Sequence, residues 1–566
     1  MKVKRALIVI IFTLFIISLS QAEDLLIKVP SPDAKIKNWL NSRKLGNRIT
    51  HDRECLEIVA NAEILEYLID NQINYEVLKT ESEILRDLEN YRSYDETYAD
   101  LQDFSETYPE ITRLFSLGPS VCHQYYLDGN ENYAEFQHEI WCLKVSDNPE
   151  VEEDEPNVFF GSLIHANEAI TLEVVMTFME ELFADYGIDP EIAEFVENNQ
   201  IWFIPIINPD GYKVVHDELF YQRKNMRDNN ENGLPDYSFE DGVDLNRNFG
   251  YVWNPNGPDP YPGVPTYNGP EEWSELEIQY LRDLIQARKF WAGITYHSQG
   301  EWVLYPLGMT AGVCSCDYEI LGDLATEMAM TIPRIDSPGY YTPIQLVDYG
   351  TCYGNMSDWA YAEERVFGYA IELATSHIPS DPLPICEDNM AAFRVMLHRL
   401  DNRLLTGHVT NSSGNPLVAE INVVQIDEQE GMTDVEPYRS GALYGRYFRP
   451  LLTGEYDVDF ICEGYETVSA SGVLINESGV TELEIVLNPI WSEVHLMGDV
   501  DDNDSIDAFD ASVLMRYIVG WDPAPYAPLP WEDWRLRISD INYDGEWDSY
   551  DCAIIMQYVV GLINEL

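Results

Sequence analysis

Two short stretches carry residues of the right type and spacing to hold a catalytic metal. Residues 157–175 read NVFFGSLIHANEAITLEVV, an apolar run rich in β-branched and aromatic residues that stops at His165. An apolar-periodic helix is predicted to begin near Glu168, which puts His165 and Glu168 on one strand-to-helix turn. An imidazole and a carboxylate three residues apart on such a turn can reach one small cation, and catalytic zinc takes three protein ligands with one position left for water. The stretch ITYHSQG offers the third ligand, His297, at the end of a short strand followed by small polar residues.

Other polar groups have uses beside such a metal. In GVDLNRN (242–248), Asn246 and Arg247 can fork a carboxylate, and Asp244 can hold a ligating imidazole in one tautomer. Arg223, in QRKN, can stabilise an oxyanion. Glu372 stands alone in the apolar run FGYAIEL, where a carboxylate is costly unless paired or functional; near the metal it makes a general base.

These groups need a rigid frame. Strand-like runs at 141–145, 158–164, 202–207, 292–296 and 368–373 alternate with helical ones from Glu168 and near 271–287. That alternation predicts an α/β domain over 91–405 with a mixed, mostly parallel sheet, whose chemistry gathers at the carboxyl ends of the strands. Residues 23–90 predict a small α+β module, with helices near 32–42 and 60–72. It can serve as a propeptide, with Arg86 and Arg92 as exposed cleavage points. Residues 406–489 show short alternating strands between Gly, Asn and Ser turns, which predicts a β-sandwich.

Residues 490–566 contain a repeat. DVDDNDSID from Asp499 and DINYDGEWD from Asp540 lie 41 residues apart, and RYIVG (516–520) matches QYVVG (557–561) at the same offset. Oxygen donors fall at loop positions 1, 3, 5, 9 and 12, the alternation of calcium loops. They are Asp499, Asp501, Asn503, Asp507 and Asp510, then Asp540, Asn542, Asp544, Asp548 and Asp551. Two structural calcium ions in a small helical module are expected.

The 566 residues hold 99 acidic and 34 basic side chains, a formal net charge of −65, which argues against nucleic acid as a partner. Residues 1–22 pair a basic start with an apolar stretch and a Ser-Gln-Ala end, a signal peptide cut after Ala22. No later run reaches the roughly 18 apolar residues of a membrane span, so a secreted protein is expected. The nine cysteines form no evident framework, and no disulfide is assigned.

The spaced motifs HANE, QRKN, GVDLNRN, TYHS, SDWAY and AIEL resemble those of zinc carboxypeptidases of the A and T type. The resemblance implies one zinc on His165, Glu168 and His297, with Glu372 activating the water and Arg223 steadying the tetrahedral intermediate. It implies that Asn246 and Arg247 grip the free C-terminus of a peptide. The family's mobile tyrosine falls on Gly350, so Tyr349, one residue off, is preferred over Tyr353. Asn167 stands where digestive members carry arginine, and Ser357 occupies the specificity position without announcing a preference. A propeptide before the domain and a transthyretin-like sandwich after it also fit the family. The tail resembles a type I dockerin and implies a cohesin-type scaffold partner, although Asp504 replaces the usual glycine and a Pro- and Trp-rich linker at 521–534 separates the repeats. Two rivals remain: a peptidoglycan stem-peptide or amino-acid amide hydrolase on the same scaffold, and a non-catalytic binding or adhesion protein.

Overall fold

The computed structural model describes residues 23–30, 34–51, 55–217, 219–236, 240–254, 261–309, 312, 314–490, 497–501, 503, 505–521, 523, 527, 531, 533–542 and 547–563. The expected signal peptide lies outside them. The chain divides into two compact units: one runs to Arg399 and takes in Glu430–Glu436, the other comprises Leu400–Gln429 and Pro437–Leu566.

The first unit opens with β1 (Leu25–Pro30), β2 (Ile49–His51), β3 (Cys55–Ala60) and β4 (Glu76–Thr80), ordered β2-β3-β1-β4 with antiparallel pairings. Helices Ala34–Ser42 and Ala62–Asp70 bury Ile36, Leu40, Ile64 and Leu68 against Ile27, Val29 and Ile58 of the sheet. Asn61 caps the second helix, accepting from Ile64 N at 3.0 Å. A further helix, Glu81–Leu88, starts with a Thr80/Glu83 capping box and carries Arg86 on its exposed side. Arg92 is not an open cleavage point. Its guanidinium pairs with Asp100, Glu173 and Glu180, and its backbone N–H donates to Glu173 Oε1 at 2.8 Å. A local run of polar residues cannot reveal such distant carboxylates.

The main sheet contains β5 (Thr112–Pro119), β6 (Glu139–Val145), β7 (Asn157–Gly161), β8 (Gln200–Ile204), β9 (Phe290–Ser298), β10 (Trp302–Tyr305), β11 (Thr342–Gln345) and β12 (Phe367–Leu373). Their order is β11-β10-β12-β9-β7-β8-β6-β5. The pairings among β8, β7, β9 and β12 are parallel, while β5, β6 and β10 add antiparallel ones, so the sheet is mixed. Strands β7, β8, β9 and β12 are buried along their whole length, which is why they read as unbroken apolar runs. Gly293 in β9 is required by packing: a Cβ there would stand 2.0 Å from the Phe159 ring. The helix Ile170–Asp185 covers the sheet, and its Phe178 stacks on Phe393 at 3.6 Å between centroids.

The run predicted as a strand to Ile164 leaves the sheet after Gly161. Ser162 Oγ donates to Pro205 O, and Leu163 turns to φ +50 with its N–H on Thr171 Oγ1 at 3.2 Å. The residues stay buried, so their apolar character outlasts the strand.

In the second unit, β13 (Asn402–Asn411) starts inside the stretch expected to end the α/β domain. β14 (Glu420–Val423), β15 (Arg446–Pro450), β16 (Gly454–Ile461), β17 (Val468–Ile475), β18 (Gly479–Glu482) and β19 (Ile485–Leu487) complete two sheets, β15-β13-β18 with β19 on β13, and β14-β16-β17. The apolar EINVVQI does not stay extended. Asp427 takes Val423 N at 2.8 Å and Arg449 at 3.0 Å, turning 424–427 into a short helix.

The tail holds helices Ala508–Ile518, Asp533–Ser539 and Ser549–Val559. Val500, Leu514, Trp531, Ile541 and Ile555 share one core, and Trp531 stacks on Tyr517 at 4.0 Å. Ala527 and Trp531, expected in a linker, are therefore part of this packing. All nine cysteines are free thiols.

Candidate metal centre

Strand ends and one turn bring the expected ligands together. His165 and Glu168 lie on the irregular turn between β7 and its following helix, and His297 is the next-to-last residue of β9, the neighbour of β7. One donor atom from each lies within 4.8 Å of the others, and all three residues are buried. His165 Nδ1 is 2.8 Å from Glu168 Oε1, and His297 Nδ1 is 3.1 Å from both Glu168 Oε2 and His165 Nδ1. Two imidazole nitrogens and a carboxylate oxygen converging at one buried point match the donor set of a catalytic zinc. Burial raises the Glu168 carboxyl, but His165 and His297 outweigh it and hold the group well below its ordinary range. Burial moves the His297 imidazole the other way, downward, which favours the neutral form a ligand needs.

Asp244 Oδ1 lies 3.1 Å from His165 Nε2 and is fully buried. Burial would raise its carboxyl, yet Arg223, His165 and Arg247 keep it well below the usual value. Arg223 reaches Asp244 Oδ2 through Nε at 3.1 Å and through its terminal nitrogen at 3.0 Å, and lies 3.4 Å from Glu168 Oε1. The guanidinium is thus fixed at the rim of the trio. Ser298 N also donates to Glu168 Oε2, at 3.2 Å, tying the end of β9 to the opposing ligand.

Glu372 pairs in register with His297 across the parallel β9–β12 ladder. Asn246 Nδ2 lies 3.3 Å from His297 Nε2, while its Oδ1 takes Met356 N at 2.9 Å. Arg247 donates to Asn246 O at 2.7 Å. Trio, Arg223, Asn246, Arg247 and Glu372 all line one cleft of about 480 Å³. Tyr349 and Tyr353 both line it as well. Lys37, Asn41, Ile49 and Thr50 of the N-terminal sheet and its helix close another side.

Three contacts near the trio have no signature in the sequence. His377 Nδ1 lies 2.8 Å from Ser298 Oγ and its Nε2 3.1 Å from Thr50 O. Gln299 Nε2 donates to Glu57 Oε2 at 2.7 Å. All three join segments far apart in the chain, and His377 belongs to no motif.

In the tail, carboxylate oxygens of Asp499, Asp501 and Asp510 lie within 4.8 Å of one another. Asp510 takes Asp501 N at 3.2 Å and Asp507 N at 2.8 Å, and Asp499 takes Asn503 N at 2.9 Å. In the second loop Asp551 takes Ile541 N at 2.8 Å and Asp548 N at 3.0 Å, and Asn542 N at 3.4 Å. Asp507 and Asp548 each cap the helix that follows. Asp540 opens this loop, while Asp544 and Asp504 lie outside the described residues.

Residues 97–392 match the family described as zinc carboxypeptidase, and residues 497–560 match the type I dockerin domain. A zinc carboxypeptidase of Saccharothrix mutabilis subsp. capreolus is 26% identical over 299 residues, covering 50% of this chain and 62% of that one. Carboxypeptidase A2 of Mus musculus is 30% identical over 222 residues, covering 39% and 51%. The chain thus spans between half and two thirds of these relatives' length. The crystal structure of thrombin activatable fibrinolysis inhibitor aligns with a TM-score of 0.56 at 18% identity, covering 66% of this chain and 98% of that one, a likeness of fold. Among the described residues, no helix is long and apolar enough to cross a membrane.

Proposed function

Because the chain belongs to the zinc carboxypeptidase family through residues 97–392, we propose that it is an exported exopeptidase that removes the C-terminal residue of peptides. The observation that carries this reading is the buried convergence of His165, Glu168 and His297 in the lining of a cleft that Glu372 also lines. Zinc held there would supply Lewis-acid polarisation of the scissile carbonyl and acidify water. Glu372 takes the proton from the attacking water and returns it to the leaving nitrogen. Arg223, already oriented by Asp244, faces the developing oxyanion. Asp244 holds the His165 ring in place. Asn246 and Arg247 bind the terminal carboxylate, and Tyr349 closes over the side chain beyond it. Requiring that carboxylate makes the enzyme an exopeptidase.

The N-terminal module supports a covering role, since Lys37, Asn41, Ile49 and Thr50 line the same cleft. Cleavage at Arg86, which is exposed, would release it, whereas Arg92 is held by three carboxylates. The tail folds around two calcium ions and docks a cohesin-type partner.

Protein treated with trypsin at low dose is incubated with a mixed peptide library and the released amino acids are read by mass. Single residues should leave free C-termini and not amidated ones. Equal hydrolysis of amidated peptides would favour the amide-hydrolase reading, and a purified chain without bound zinc would favour the adhesion reading.

A further inference from the structure

Both proposed ligand segments are tied to one residue, His377, the first through its backbone carbonyl and the second through its imidazole. His377 O accepts from Ile170 N at 3.2 Å, at the start of the helix that follows Glu168. Its Nδ1 lies 2.8 Å from the hydroxyl of Ser298, which follows His297. Its Nε2 lies 3.1 Å from Thr50 O on β2 of the N-terminal module.

These partners fix the tautomer. A carbonyl oxygen can only accept, so Nε2 carries the hydrogen and donates to Thr50 O. Nδ1 is then bare and accepts from Ser298 Oγ. With its hydroxyl committed to His377, Ser298 directs its backbone N–H at Glu168 Oε2, 3.2 Å away. The same module also holds the next residue, since Gln299 Nε2 donates to Glu57 Oε2 on β3 at 2.7 Å. Two strands of the N-terminal module therefore grip both residues that follow His297, one directly and one through His377.

We infer that His377 is a positioning residue through which the seated N-terminal module holds Glu168 and His297 in register for the metal. This rests on the zinc reading above. It makes the module a support of the metal centre as well as a cover over it. Linkage requires reciprocity: if a seated module tightens the metal, the metal tightens the seating of the module.

The test uses the full chain in excess calcium, with zinc affinity read by competition against a chelator. His377→Ala should weaken zinc about tenfold, the lower end for losing a group that orients ligands. His377→Asn, whose amide oxygen can stand where Nδ1 stands, should recover most of that loss. The melting temperature of the metal-free chain should fall by a similar amount in both variants, since each loses the donor to Thr50 O, so it should not track the zinc loss. Zinc should slow amide exchange over residues 49–57 in the wild type and not in His377→Ala. Unchanged zinc affinity in His377→Ala would overturn the inference, as would zinc binding in His377→Asn as weak as in His377→Ala. Exchange over 49–57 that ignores zinc in the wild type would remove the link to the module. Should His377→Ala fail to fold, Ser298→Ala, which deletes the accepted hydroxyl, is expected to weaken zinc in the same direction and decides the matter in its place. A wild-type chain that binds no zinc at the trio would sink the underlying metal reading, a result distinct from normal binding that His377→Ala leaves untouched.

Discussion

The chain contains two kinds of proposed metal site, and they are built in opposite ways. The zinc trio draws His165 and His297 from positions 132 apart, and neighbouring sheet strands bring them together. The first calcium loop draws Asp499, Asp501 and Asp510 from one short stretch. In the trio, His165 and His297 hold Glu168 well below its ordinary range despite burial. In the loop, burial, with Asp501 and Asp499 alongside, pushes Asp510 up to about 6, although backbone N–H groups pull the other way. Asp501 is raised too, first by burial and then by its acidic neighbours. A site framed by a sheet can keep its shape without its cation. A loop of crowded carboxylates depends on the cation for its fold.

That contrast can be broken in several places. The largest effect is expected from Glu372→Gln, which should lower turnover by about 10³-fold, within the usual range for a general base, while zinc content stays full. Retained turnover would remove Glu372 from the chemistry. Calcium chelation should come next: helical circular dichroism from the last 70 or so residues should vanish while peptide trimming continues. A tail that keeps its helices without calcium would erase the contrast.

Arg247→Ala should follow, raising KM for free C-termini by roughly 10- to 100-fold, the worth of a charged hydrogen-bonded contact, with little effect on amidated peptides. The smallest effect concerns Glu277, a buried carboxylate away from the trio. Burial, Glu275 and Asp210 push it up to about 8. Its folded value exceeds the unfolded one, so the stability it contributes is full below about 4.5 and is lost as pH rises through about 8. Glu277→Gln should flatten the fall in melting temperature between pH 5 and 9, by roughly 2–4 °C for each kcal/mol recovered. An unchanged slope would show that Glu277 does not carry the proton.

The ligands were legible because their chemistry is local in kind: a His-x-x-Glu turn, a strand-end histidine and a lone glutamate in an apolar run each stand out against their neighbours. The central strands were legible because burial on both faces leaves unbroken apolar runs. The rest depends on distant partners. Arg92 reads as an exposed basic residue until Asp100, Glu173 and Glu180 surround it. Trp531 reads as linker until it stacks on Tyr517. His377 sits among Ser, Ile and Pro with no periodic signal, and its role emerges only when Thr50 and Ser298, 327 and 79 positions earlier in the chain, meet it. Local pattern fixes residue types, whereas long-range packing decides which of them touch.

The most direct measurement is zinc stoichiometry with X-ray absorption at the zinc edge, on the full chain and on His297→Ala, in excess calcium. One zinc per wild-type chain with two imidazole nitrogens in its coordination shell is expected, lost in a His297→Ala variant that remains folded. Full zinc in that variant, or a shell without imidazole, would contradict the proposed centre.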